Sequence, residues 1–460
     1  NHLSPPCVRF LHQVSEQAQL RQLADFCSQL NAESSVGGKE RLLRQHPEWF
    51  GILKQVYDTS TTFGLTSTAV KRYPLQEPQD IVKPGHTQPF GLSGILNHLA
   101  TRSLVGNKAS AAFKSYVLRE CNGHPELEQF CYRILDRHLK AGVSRGLLRR
   151  VYPEAFRTFH VALAKDFIKG RSEAQLQSGA WYASEKMDGV RCLTVVKRGD
   201  PMQITFYSRT GRPFLTLRHL HDHLLAMMPS LPHPYEDGFV LDGELLAAPL
   251  GQHSFTETMQ QIRRLTDMPT PHYYVFDIVP FADFVQGHSA LRLTERWKTL
   301  ELFAPTISSG AVLQVVPQRL MRNMDDVTQM EKKALEAGWE GIILRRDVPY
   351  VGKRTTDLLK LKQWKDDEYK VIDTEVGHMR LPSGKEQDLL LAVTVLHKGH
   401  PVSIGSGFSL EQRERYARDP NLILGKEITV RYFEESKSKG KASLRFPSVK
   451  MVYEEGVRNV

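Results

Sequence analysis

The chain has 460 residues, 41% of them hydrophobic and 24% charged, with a formal net charge of +10. That length exceeds one comfortable core and points to about two to four domains, while the composition is that of an ordinary globular protein, without a low-complexity tract or a run of 18 apolar residues able to span a bilayer. The positive balance favours a polyanionic partner, and it is uneven: residues 1–165 hold 21 Lys and Arg against 13 Asp and Glu, +8 of the +10. The sequence starts at Asn1 with no charged head and apolar signal core, so export is not indicated and a cytoplasmic setting is expected. Cys7, Cys27, Cys121, Cys131 and Cys192 form no paired framework, and reduced thiols are expected. Cys121, His124 and Cys131 come nearest to a metal cluster, but their spacing is wrong for a zinc knuckle and a fourth ligand is missing.

From about Ser15 to Lys165 apolar residues recur at three and four spacing, in "SEQAQLRQLADFCSQL", "HPEWFGILKQVYD", "LSGILNHLATRSL", "NKASAAFKSYVLREC" and "HPELEQFCYRILDRHLKAG". This predicts helices, with a Pro- and Gly-rich connector from Pro74 to Gly91. "AGVSRGLLRRVYPEAF" reads as a helix end, a turn and a new helix whose first amides can face a phosphate, with Arg145, Arg149 and Arg150 close by. A solvated basic face fits the same residues.

After Gly170 the period shortens. "WYASEKM", "VRCLTVVKR", "QITFYSRT", "GFVLDGELLAA", "HYYVFDIVP", "AVLQVVPQ", "GIILRRD" and "LLKLKQW" predict strands, and "LTERWKTLELFAP" and "DVTQMEKKALEAG" predict helices between them: a mixed α/β unit. From Asp366 nearly everything reads as strand, with one short helix in "SLEQRERYARD". Five or so strands in about 95 residues suit a small, partly open barrel of the oligonucleotide-binding type, as they would another small β domain. "GSGFS", Gly405 to Ser409, reads either as a hairpin turn or as a loop bringing amides toward a nucleic acid.

The chemistry gathers at "SEKMDGVR", Ser184 to Arg191. A lysine holds its proton up to about pH 10.4 and attacks nothing at neutral pH until that proton is gone, which neighbouring cations, burial or a metal promote. Alternation puts Lys186 and Asp188 on one face at a strand end, and Gly189 permits a tight turn or a close approach. A surface turn reads the same way taken alone. Downstream, however, come "SRTGR", "LDGEL", "YYVFDI", "EGIILRR" and "LLKLKQW", each setting charge in or beside an apolar strand. Glu244 closes one such strand and Glu340 opens another, and buried carboxylates there need a metal or hydroxyl partner. Lys360 and Lys362 share a face and suit a triphosphate; Phe276 can stack on a base.

This order, K-x-D-G-x-R, S-R-x-G, D-G-E, an aromatic strand ending in F-D, E-G and L-K-x-K, resembles the covalent nucleotidyltransferase superfamily, and within it the ATP-dependent DNA ligases of the compact T-even bacteriophage type. "ILKQVYDTSTTFGLTSTAVKRYP", "LATRSLVGNKA" and "LKAGVSRGLLRRVYP" are similar to the helical DNA-binding domain of that family. The resemblance implies a multidomain protein: an all-α DNA-binding domain at 1–168, an α+β nucleotidyltransferase domain of ATP-grasp-like ligase type at 169–365, and an OB-fold β-barrel at 366–460. It implies that Lys186 forms a phosphoamide with AMP, that Arg191 and Glu244 orient the ribose side, that Arg209 meets phosphate and that Phe276 stacks on adenine. Lys360 and Lys362 would hold the α-phosphate; Glu340, Glu244 and Asp188 would serve a divalent metal, Asp188 also assisting the later transfer. Arg145, Arg149, Arg150 and Lys108 would hold DNA.

ATP and Mg²⁺, which Mn²⁺ can replace, are the implied cofactors. The implied partner is nicked duplex DNA, encircled by a monomer without membrane attachment or obligate protein partner, in a bacterial nucleoid or a phage host's cytoplasm. Two departures stand out. Ser184 occupies a position where many DNA ligases carry a base-reading Glu, leaving backbone or Glu185 for that contact. The end "SLRFPSVKMVYEEGVRNV" lacks the usual arginine-aspartate-lysine element, with Tyr453 and Glu454 about where an arginine and an acid would be and Lys450 or Arg445 as substitutes. Rival readings are an RNA ligase or a capping-type nucleotidyltransferase, which would prefer GTP, and a non-catalytic repair scaffold. An NAD-dependent ligase would need a four-cysteine zinc module.

Overall fold

Leucines and aromatics at helical spacing fold the first part of the chain into α1 (Glu16–Ala32), α2 (Val36–Gln45), α3 (Phe50–Tyr57), α4 (Ser67–Arg72), α5 (Leu92–Ala100), α6 (Gly106–Glu120), α7 (Pro125–Leu135) and α8 (Arg145–Val151) in the computed structural model. Residues 15–74, 91–156, 159–249, 255–264, 266–306, 312–362, 364–381, 386–438 and 441–453 are described. Most of the Pro74–Gly91 connector, Cys7 and Glu454 lie outside them. The chain divides into two units, residues 1–159 with 207–213, and residues 160–206 with 214–460.

The first unit is built around Leu23, Leu30, Phe113, Tyr116, Phe130 and Ile134, all essentially sealed from solvent. Ser15, Thr66 and Ser144 cap α1, α4 and α8 by accepting from backbone amides three residues on, at 3.2–3.3 Å. The α7 helix stops at Leu135, earlier than its apolar spacing predicts. The reason is Arg137, which takes φ +61° and donates to the carbonyls of Gln55, Val56, Asp58 and Thr61, satisfying the orphan end of α3 and the turn beyond it. Cys121 and Cys131 are buried free thiols 3.6 Å apart, while His124 meets Arg21.

The second unit is a mixed α/β body with a sheet-rich C-terminal region. Its elements run β1 (Leu163–Asp166), α9 (Arg171–Leu176), β2 (Trp181–Glu185), β3 (Val190–Lys197), β4 (Gln203–Ser208), α10 (Arg218–Ala226), β5 (Gly238–Leu246), α11 (Phe255–Arg263) and β6 (His272–Pro280). Then come α12 (Phe281–Gln286), β7 (His288–Arg292), α13 (Leu293–Leu300), β8 (Leu313–Val315), β9 (Arg319–Met321), α14 (Met324–Glu336), β10 (Gly341–Arg346), β11 (Pro349–Val351) and β12 (Arg354–Lys362). The C-terminal region holds β13 (Lys365–Arg380), β14 (Glu386–His397), β15 (His400–Ile404), α15 (Leu410–Arg418), β16 (Glu427–Tyr432), β17 (Glu435–Ser438), β18 (Lys441–Leu444) and β19 (Ser448–Val452).

Two five-stranded sheets make the body, in the orders β1-β12-β10-β2-β9 and β4-β3-β5-β6-β8. The first packs Trp181, Ile342, Leu344 and Leu359 against Val327, Met330 and Ala334 of α14; the second buries Cys192, Leu241, Tyr273 and Ile278. The third sheet, β15-β14-β13-β16-β19, is antiparallel throughout. Its long β13 pairs with β16 along Lys365–Lys370 and with β14 along Val371–Arg380, through bulges that bend the sheet. The Gly405–Ser409 loop packs on β19, Val449 N donating to Ser406 O at 2.9 Å, with Gly407 at φ +100°. Among the described residues no helix is long and apolar enough to cross a membrane.

Candidate active site

In the first sheet Ser184 pairs across from Ile343 and Lys362 from Gly341, which brings the ends of β2, β10 and β12 side by side. Lys186 N donates to Gly341 O at 2.9 Å and prolongs the ladder just past β2. One carboxylate then holds two ammonium groups: Glu340, its side chain only 4% exposed, is ion-paired with Lys186 through Oε2 and with Lys362 at 2.8 Å through Oε1. Two glycines make this packing possible. At Gly341, with φ +148°, a Cβ would collide with the carbonyl of Leu361; at Gly189 it would lie 2.6 Å from the carbonyl of Leu245. The glycine of K-x-D-G is thus required by the close approach of β5.

On the second sheet Arg191 and Glu244 are cross-strand neighbours. Arg191 is committed: it clamps Asp242 with two bonds, 2.8 and 2.5 Å, and donates to Ala162 O at 2.8 Å. Asp242 escaped the sequence reading, although its place in an apolar strand beside Glu244 was a usable signal. Burial pushes the Glu244 carboxyl up to about 8 despite the pull of Lys186 and Arg191, and burial pushes Glu185 up to about 7. Both folded values lie above the ordinary carboxyl value near 4.5. Their contribution to stability is therefore complete below that value and is lost as pH rises through about 7 to 8. The melting temperature is expected to fall between pH 5 and pH 8, and less steeply in Glu244→Gln; calorimetry across that range checks it.

Ser184 is buried and its Oγ accepts from Arg345 at 2.6 Å. The Arg345 guanidinium lies 4.8 Å from the ring centre of Phe276 and that of Arg191 lies 5.7 Å from it, so the ring expected to stack on a base already has two cations against it. The carboxylates nearest in charge to Arg345, Asp277 and Asp242, are each bound by another arginine, Arg296 and Arg191. Burial pulls Arg345 down to about 10. It is a further site residue that the sequence reading missed.

A cavity of about 1040 Å³ is lined by Glu185, Lys186, Asp188 and Glu340 from the body and by Phe433, Glu434 and Arg445 from the C-terminal region. Lys186 and Asp188 do share it. Arg445 reaches in to make a two-pronged pair with Asp188, one arm at 3.0 Å, and also meets Glu434. Of the two substitutes considered for the missing C-terminal element, Arg445 is in the cleft, whereas Lys450 pairs with Asp366 at 2.5 Å and Tyr453 bonds Thr429.

Lys360 is paired with Asp166 of β1 at 3.1 Å and not with the Glu340 cluster. Arg209 is exposed in the Tyr207–Pro213 turn, which groups with the first unit. In that unit Lys108 is exposed in the first turn of α6, Arg145 lies over the ring of Phe156 at 5.8 Å, Arg149 is half-buried in α8, and Arg150 pairs with Glu40 at 3.2 Å.

Residues 162–362 match the family model described as "ATP dependent DNA ligase domain", and residues 383–452 match "DNA ligase OB-like domain". The chain is similar to the DNA ligase of Enterobacteria phage T6, 24% identical over 388 residues that cover 75% of this chain and 76% of the relative. It is also similar to the DNA ligase of Thermococcus onnurineus (strain NA1), 27% identical over 399 residues, 71% and 68% of the two chains. The solved structure of Pmar-Lig_PreS3 superposes over 96% of this chain and 99% of its own, with a TM-score of 0.69 at 25% identity. Two adjoining ligase modules matched in order, around a lysine set on a shared carboxylate, make this chain a member of the ATP-dependent DNA ligase family.

Proposed function

We propose that the chain seals nicks in duplex DNA with ATP through a lysyl-AMP and a DNA-adenylate. Lys186 Nζ attacks the α-phosphorus of ATP and pyrophosphate leaves; a 5′-phosphate oxygen at the nick then takes the AMP from Lys186; the adjacent 3′-hydroxyl displaces AMP and closes the strand. The observation that carries this reading is the pair of ammonium groups on Glu340 at the wall of a cavity that Lys186 and Glu340 line: a nucleophile, a carboxylate in contact to take its proton, and a second cation on the other carboxylate oxygen.

In this reading Lys362, with Lys360 once freed from Asp166, balances charge on the α-phosphate. Arg191 and Glu244 orient the ribose, Phe276 and Arg345 meet the base where Ser184 replaces an acid, and Arg209 meets phosphate. Asp188 stays in register for the transfer steps through Arg445. The module boundaries 1–168, 169–365 and 366–460 belong to the same proposal. The helical first part grips DNA with Lys108, Arg145, Arg149 and Arg150, and the C-terminal region is an OB-fold that contacts duplex backbone. The protein would act as a monomer in the cytoplasm or nucleoid.

Among the described residues no three carboxylate, His or Cys groups form a ready-made metal cage. Magnesium suits the site nonetheless, because it needs only one or two carboxylates beside phosphate and water oxygens. Glu244 and Glu340, with Asp188, are the residues that would hold it or Mn²⁺, and its chemistry would be charge neutralisation on phosphate oxygens.

The test is incubation with α-labelled ATP, α-labelled GTP and adenylate-labelled NAD in parallel, followed by a denaturing gel. Covalent label from ATP alone is expected. Label from GTP instead would transfer the chain to the capping class, and no label from any of the three would refute the enzyme reading.

A further inference from the structure

Lys362 has unusual surroundings. Its ammonium is 2.8 Å from Glu340 Oε1 and also 5.0 Å from the ring centre of Phe446, 5.4 Å from Phe433 and 5.9 Å from Trp364, with only 14% of the side chain exposed. The guanidinium of Arg445 stands 5.3 Å from the same Phe433 ring and 5.5 Å from Phe446. Two cations from different parts of the chain therefore share the same pair of aromatic rings. Like charges so placed would repel, and a ring attracts both through its negative face. A ring also differs from a carboxylate in a way that matters for phosphate chemistry, since it holds a cation in place without neutralising it. Glu340 divides its single charge between Lys186 and Lys362, so the two ammonium groups keep a net positive charge that the rings do not cancel and that a phosphate oxygen can meet.

The rings are not equivalent. Phe446 is 58% exposed with its backbone at φ +53°, and Trp364 is 41% exposed at the joint between β12 and β13. Phe433 is buried, at 7%, and fixed by its own backbone, which donates to Arg445 O at 3.0 Å while Arg445 N returns a bond to Glu434 O at 2.8 Å. Glu340 belongs to the body; Phe433 belongs to the C-terminal β region.

We propose that Phe433 is a positioning residue for nucleotidyl transfer, forming with Trp364 and Phe446 an aromatic seat that fixes the Lys362 ammonium toward the α-phosphate and spaces it from Arg445 when the C-terminal β region is in contact with the body. The inference rests on the proposed ligation chemistry for its kinetic consequence but not for the existence of the seat.

Two measurements on the full chain test it. The first is single-turnover formation of lysyl-AMP from labelled ATP. Phe433→Leu is expected to lower the rate at saturating ATP about tenfold with the half-saturating ATP concentration nearly unchanged, Phe433→Tyr to stay within about twofold of native, and Trp364→Leu to lose about threefold. The second needs no activity: lysines are reductively methylated with ¹³C, and the resonance missing from Lys362→Arg is assigned to Lys362. Ring currents should hold that signal upfield in the native chain and in Phe433→Tyr, and release it in Phe433→Leu. An unshifted native signal overturns the seat. A native signal that is shifted, with Phe433→Leu reacting at the native rate or Phe433→Tyr as slowly as Phe433→Leu, overturns the positioning role. A native chain that takes no label while its signal is shifted refutes the ligation reading and leaves the seat standing as a structural contact.

Discussion

Lys186→Ala is expected to take no covalent label from ATP and to seal nicks at least about 10⁴-fold more slowly than the native chain, the scale reached when a covalent nucleophile is removed. Among the described residues no other amine pairs with the Glu340 oxygen that holds Lys186. Lys362, the nearest ammonium on the same carboxylate, occupies the other oxygen of Glu340 and lies among aromatic rings. The variant should still fold, because Glu340 keeps Lys362 as counter-ion and is not left as an isolated buried charge. A denaturing gel reads the label, and a nick supplied already adenylylated separates the first step from the last. Lys186→Ala should close that substrate far better than it closes an ordinary nick. Label persisting in Lys186→Ala would mean that another residue is the nucleophile.

Binding to nicked duplex is expected to collapse with salt. If roughly 6 to 10 phosphates are neutralised, affinity should drop by roughly 10³ to 10⁵ between about 50 and 200 mM monovalent salt, with little dependence on base sequence. The charge for this is concentrated early in the chain, where residues 1–165 carry an excess of +8. Lys108 is exposed there, while Arg150 must first give up Glu40. Fluorescence anisotropy of a labelled nicked duplex, with EDTA present to prevent turnover, measures the slope. A flat response would rule out extended backbone contact, and reversing Lys108 and Arg149 to glutamate should shallow the slope.

Much of the site could be read from one strand at a time. Period-two alternation located β2, β5, β6, β10 and β12, and charges at strand ends singled out Lys186, Glu244, Glu340 and Lys362. What alternation cannot give is the partner of each charge, because pairing is fixed by register between distant strands. Lys360 and Lys362 look alike in sequence, yet β1 brings Asp166 to the first and β10 brings Glu340 to the second. Short edge elements such as β1 and β9 carry too few residues to show a period. The Arg345–Ser184 bond and the Arg445–Asp188 pair, 161 and 257 residues apart in sequence, were likewise beyond local pattern. The overlong reading of α7 failed for a related reason: Arg137 serves carbonyls about 80 residues earlier, and that distant demand overrides the local helical spacing.

The glycines at 189 and 341 bear on how this enzyme could be re-engineered. Each sits where a single added carbon would strike a neighbouring backbone carbonyl, so a saturation library spread evenly over the cleft would waste its diversity on unfoldable clones at those codons. Randomising Ser184 and Arg345 together instead alters the buried surroundings of Phe276 through side chains alone, and selection for growth on an altered nucleotide supply has its best starting point there.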